Sequence, residues 1–110
     1  MRELTNLEAV ILAIIRDHNP THGFFILKEY KARMGPPAHV GNVYRVLLRL
    51  NKVGFIESFW EEAKDASKHQ GPRRRYHKLT REGRRALENF SREITRVTKV
   101  LTPPTKRSGE

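Results

Sequence analysis

Toward the end of the chain Leu87, Phe90, Ile94, Val97 and Leu101 follow one another at spacings of three, four, three and four. On a helix this spacing draws a continuous apolar seam. A helix opened by Thr80 and carrying all five would be about 33 Å long. Burying each side chain is worth roughly 1.5 to 3 kcal/mol, too much to leave in water. The remaining chain has patterns for three short helices and a hairpin, which cannot cover a seam of that length. The seam therefore predicts a second copy of the chain across a two-fold axis, with Leu4, Leu7 and Ile11 of the first helix filling the groove. The alternative is a monomer that folds this helix back over its own core.

Upstream of the seam the hydrophobic period is first helical, then strand-like. Leu4, Leu7, Ile11 and Ile14, widened by Val10 and Ile15, predict a helix over 3–17. Asn19-Pro20 interrupts it, and Thr21 is positioned to cap a second helix running from Gly23 to Arg33, which Gly35-Pro36-Pro37 stops. Val43, Val46, Leu47, Leu50 and Val53 form a third stripe, closed by Gly54. At Phe55 the period changes to two. Phe55 to Glu61 reads as a strand, Arg73 to Leu79 as its return, and Glu62 to Pro72 as a mobile tip. The expected fold is mainly α with a two-stranded β-wing (α+β). Residues 1–79 would form the binding domain, 80–102 the dimerisation helix and 103–110 a flexible tail.

The charge is as uneven as the pattern. The chain holds 22 Lys and Arg against 12 Asp and Glu, a net charge of +10. Between Lys68 and Arg107 lie thirteen basic and three acidic side chains, so that one span accounts for +10 while residues 1–67 are nearly neutral. This predicts a polyanionic partner met along one edge of an ordinary globular core. The longest apolar run, Ala9 to Ile15, falls far short of the roughly 18 residues a membrane span requires. With no cysteine, disulfide scaffolds, thiolate zinc sites and thiol nucleophiles are excluded. No basic leader with a small-residue cleavage site is recognisable, so the expectation is a soluble, cytoplasmic protein. His18 and His22 have i, i+4 spacing but are separated by Asn19-Pro20, and no nucleophile, phosphate-loop or metal motif is visible. Catalytic residues, metals and cofactors are not expected.

Three helices followed by a hairpin match a winged helix-turn-helix with a long C-terminal dimerisation helix, in which the third helix enters the DNA major groove and the wing touches the flanking backbone. The start of the third helix offers His39, Gly41, Asn42, Tyr44, Arg45 and Arg49. Asn can pair with adenine and Arg with guanine, while Tyr and backbone amides hold phosphates. On the wing, Arg73, Arg74 and Arg75, with Lys68 at the tip, suit phosphates or a narrow minor groove. Alternation along a strand would turn Arg73 and Arg75 one way and Arg74 the other. The bland reading of both groups is a solvated polar face. Trp60, Phe59, Tyr76, Phe24 and Phe25 are candidates for an aromatic effector pocket or, more simply, for core.

Four blocks carry a family likeness: Thr21 to Ile26 (THGFFI), Gly41 to Leu50 (GNVYRVLLRL), Gly54 to Trp60 (GFIESFW) and Gly71 to Gly83 (GPRRRYHKLTREG). Together and in this order they resemble the phenolic acid decarboxylase regulator (PadR) family, over about Leu7 to Leu87, in its shorter subgroup. The resemblance implies a homodimeric winged helix-turn-helix that represses transcription from a palindromic operator, in many members until a small molecule releases it. Asn42-Val43 stands where the family commonly has Thr-Leu, and Arg73 where it often has proline, so an operator sequence does not carry over. Two other classes remain open on the residues alone. One is a general nucleic-acid binder of ribosomal or chromatin type without sequence preference, and the other is a protein-interaction module built on the seam.

Overall fold

A computed structural model describes residues 3–36 and 40–104. Thr5 opens the first helix, α1 (Asn6–Asp17), through a capping box: the Glu8 amide donates to Thr5 Oγ1 at 3.1 Å and the Thr5 amide donates to Glu8 Oε1 at 2.8 Å. The helix therefore starts three residues later than the expected start at residue 3. Ile11, Leu12, Ile14 and Ile15 are wholly enclosed and form the centre of the core.

Thr21 does not cap the second helix as expected. Thr21–His22 form a short strand, β1, and the buried, β-branched Thr21 pairs with His77. The cap is His22, whose Nδ1 accepts from the Phe25 amide at 3.4 Å. The helix that follows, α2 (Gly23–Met34), ends where Gly35 takes a φ of +68°. A 3-10 turn over Val40–Asn42 leads into α3 (Val43–Lys52), which buries Val43, Leu47 and Leu50 and leaves Val53 exposed as its last cap.

The period change at Phe55 becomes β2 (Ile56–Trp60) and β3 (Arg75–Leu79), joined through one helical turn, α4 (Ala63–Ala66). The sheet has three antiparallel strands in the order β1-β3-β2, so the two-stranded wing gains a short third member. On its inward face the cross-strand partners change in steps. Ile56 faces Leu79 in the core, Ser58 faces His77, and Trp60 faces Arg75 at the outer end.

The last helix, α5 (Arg81–Leu101), is capped by Thr80, whose hydroxyl accepts from the Gly83 amide at 3.0 Å. Its start is clamped onto the α3–β2 turn. The Thr80 amide donates to the Phe55 carbonyl at 3.1 Å and the Thr80 hydroxyl donates to the Gly54 carbonyl at 2.6 Å. Only glycine fits at position 83, since a Cβ there would lie 2.0 Å from the Phe55 carbonyl oxygen. Ala86 and Leu87 are buried and Phe90 packs against the core, after which α5 leaves the domain and stretches the molecule to 68 × 31 × 21 Å.

This corrects part of the predicted dimer surface. Leu4, Ile11 and Leu87 are buried inside their own chain and offer a partner almost no surface, whereas Leu7 and Phe90 pack against that core and stay partly exposed. Ile94, Val97 and Leu101 remain uncovered, joined by Val100. The tail expected over 103–110 lies outside the described residues beyond Pro104.

Candidate nucleic-acid interface

The N-terminal end of α3 is set by α2. The Tyr44 ring lies against Gly23 so closely that a Cβ there would come within 2.8 Å of Tyr44 Cε1. With Val43, Leu47 and Leu50 holding its inner side, α3 turns Tyr44, Arg45, Leu48 and Lys52 to solvent. Gly41 and Asn42 are exposed at its start, and Asn42 makes no capping bond. His39 lies outside the described residues. Arg49 departs from its expected place: Nη1 sits 3.5 Å from Oε2 of the buried Glu8, so its guanidinium is engaged with α1.

Between α3 and the wing runs a cleft of about 690 Å³. Phe24, Tyr44 and Leu48 line the helical side and Trp60 the wing side, with Ser58 and His77 also lining it. Arg73, Arg74 and Arg75 all line it, and none of its lining residues is acidic. The expected alternation of the three arginines does not occur, because β3 begins only at Arg75. Arg73 and Arg74 precede the strand and are gathered by Glu61 instead. The Arg73 guanidinium donates to the Glu61 carbonyl, from Nε at 2.8 Å, and the Arg74 amide donates to Glu61 Oε1 at 3.0 Å. The Arg75 guanidinium lies 5.3 Å from the centre of the Trp60 ring, a cation–π contact that presents the charge on an apolar support.

Two contacts link residues at the wing tip. His69 Nε2 meets Glu61 Oε1 at 2.7 Å, and Lys68 Nζ lies 3.5 Å from Asp65. The His69 bond is the main cause that holds the Glu61 carboxyl below its usual range. The Gln70 carbonyl, and then Glu61, raise His69. Deeper in the cleft the effect reverses. Burial, helped by the Arg75 charge and by His22, pushes His77 down to about 4, so it is neutral at physiological pH and shares a 2.8 Å hydrogen bond with Ser58. Burial, then Arg74, also lowers His22.

The five aromatic residues considered for an effector pocket are dispersed. Trp60 and Phe24 line the cleft, whereas Phe59 stacks on Tyr76 at 5.8 Å on the other face of the sheet, and Phe25 packs against His18 at 4.7 Å. Reading the sequence missed Leu48 as part of the α3 face and Phe24, on α2, as its companion in the cleft. Their signal was available in Leu48's place one turn after Tyr44, off the apolar stripe. Among the described residues no three His, Asp or Glu side chains gather as a metal site would, and no helix is long and apolar enough to cross a membrane.

A helix-turn-helix whose second helix projects beside a basic, sheet-borne wing defines a winged-helix DNA-binding regulator. The model of the PadR-like transcriptional regulator family matches residues 11–89, and the chain belongs to that family. Solved structures agree. A PadR family transcription regulator from Clostridium difficile is 25% identical with a TM-score of 0.72, over 88% of this chain and 95% of that one. A PadR-like transcriptional regulator from Bacillus cereus is 26% identical with a TM-score of 0.67, over 89% and 93%. A Streptococcus mutans protein, smu.1704, is 23% identical and shares the fold over 97% of this chain and 98% of that one, with a TM-score of 0.68. No curated protein matches the sequence. The chain is thus a transcriptional regulator of the DNA-binding, winged-helix type.

Proposed function

We propose that this regulator is a cytoplasmic homodimer that represses transcription by seating two α3 helices in successive major grooves of a palindromic operator. The observation that carries the reading is the division of labour along the chain. A polar and cationic α3 face adjoins an arginine-lined cleft, while the outer half of α5 leaves Ile94, Val97 and Leu101 exposed among the described residues. Pairing two such halves would bury these side chains and set the recognition helices one helical turn, about 34–36 Å, apart. Asn42, Tyr44 and Arg45 would meet base edges and nearby phosphates, with Gly41 allowing close backbone approach. Arg74, Arg75 and Lys68 would hold the flanking backbone. Arg73 and Arg49 would chiefly brace the wing and α3. A small aromatic effector would find Phe24 and Trp60 in the same cleft, where it would exclude DNA.

The reading is tested by selecting duplexes from fragmented genomic DNA and comparing them with scrambled duplexes at moderate salt. The expected result is an inverted repeat bound at least about a thousandfold more tightly than scrambled DNA, with transcription in vitro lowered when the repeat overlaps a promoter. Equal affinity for all duplexes, or for RNA and DNA alike, would instead identify a general nucleic-acid binder.

A further inference from the structure

We propose that Leu48 is a specificity-determining residue that reads thymine C5-methyl groups in the major groove, with Phe24 widening the apolar contact. The proposal rests on the reading of α3 as the element that enters the groove.

Leu48 and Phe24 are 71% and 72% exposed, and both line the cleft beside α3. Leu48 is not part of the stripe that holds α3 to the core, since Val43, Leu47 and Leu50 supply that burial. It occupies the middle of the opposite side, one turn after Tyr44, three residues after Arg45 and one turn before Lys52. A bare leucine in that position costs free energy in the unbound protein, and its neighbours limit what can cover it. The surrounding cations, Arg45, Lys52 and the wing arginines, favour a polyanion over an apolar protein face.

Within the major groove of DNA one apolar group is offered among the base edges, the methyl group of thymine. Leucine has no donor or acceptor, so it discriminates in two ways. It gains by covering a methyl group, and it loses where it covers the cytosine amino group or a purine acceptor and deprives them of water. Arg45 and Asn42 lack that selectivity toward a methyl group. Adjacent side chains on α3 would thus read different properties of neighbouring base pairs, hydrogen bonding at one and a methyl group at the next.

The test exchanges thymine for uracil, one position at a time, in a duplex that the full-length protein has selected from random sequence. The exchange deletes the methyl group and keeps every base-pairing hydrogen bond. At one or two thymines per half-site, uracil is expected to weaken binding about fourfold, the equivalent of one buried carbon group. Leu48→Ala is expected to lose most of the discrimination between thymine and uracil duplexes, and Phe24→Ala a smaller part of it. Both side chains are exposed, so neither exchange threatens the core. The inference is overturned if uracil is neutral everywhere, if the selected half-site has no thymine, or if Leu48→Ala discriminates as the wild type does. It also falls if Leu48→Ala leaves DNA binding unaltered but changes the sedimentation of the protein, which would assign Leu48 to a protein contact. The wild-type uracil scan decides without any variant. A protein that selects no sequence at all would contradict the proposed function, whereas selection that is indifferent to the methyl group would contradict this inference alone.

Discussion

The two halves of α5 continue one apolar seam into opposite surroundings. From Thr80 to Phe90 the helix is pinned by the Phe55 and Gly54 carbonyls and surrenders Ala86 and Leu87 to its own core. From Ile94 to Leu101 the same spacing continues with every residue exposed. A period of three and four therefore records that a side chain requires cover without recording which molecule supplies it. The first half belongs to the stability of the monomer, and in our proposal the second belongs to the dimer.

The sharpest way to break that comparison is Gly83→Ala, which forces a methyl group against the Phe55 carbonyl at 2.0 Å and must shift the whole clamped end of α5. A loss of about 3 kcal/mol is expected in chemical denaturation, at the severe end of overpacking. Next in size is Ile94→Glu in the outer half. It should leave the stability of the isolated chain nearly unchanged but weaken self-association by at least about a hundredfold, the lower bound for a buried aliphatic side chain lost from both copies, as read by sedimentation. If Ile94→Glu instead unfolds the monomer, the division of α5 disappears.

A pH dependence contrasts the two ends of the wing. His77 is held neutral by burial, with a folded value of about 4 against an ordinary 6.5. Between these values the unfolded chain binds a proton that the folded chain does not, so stability falls as pH drops from 6.5 to about 4. His69 is raised and acts in the opposite sense, stabilising at low pH and losing its contribution as pH rises through its folded value. His77→Gln should flatten the acid-side decline of the melting temperature, while His69→Gln should steepen it.

How far the molecule could be read in its sequence depends on how local each determinant is. The α3 stripe of Val43, Leu47 and Leu50, the Thr80 cap and the change of period at Phe55 are set by neighbours a few residues apart, and all stand in the structure. Thr21 was misread because its partner, His77, is remote in sequence, so a residue well suited to capping was taken into a sheet. The three arginines were misread for a similar reason. Alternation presumed a strand, but Glu61 captures Arg73 and Arg74 before the strand begins. Arg49 looks like any exposed cation until Glu8, on another helix, is placed beside it. The pattern of Leu4 and Ile11 correctly announced burial, and only the packing of α1 into its own domain showed where.

In our proposal two chains act as one reader of DNA, and the most direct measurement is the number of chains on a single selected duplex, counted by sedimentation velocity at micromolar concentration. Two chains per duplex, falling apart when Ile94 is replaced by glutamate, is the predicted result. One wild-type chain per duplex, bound with full sequence preference, would contradict it.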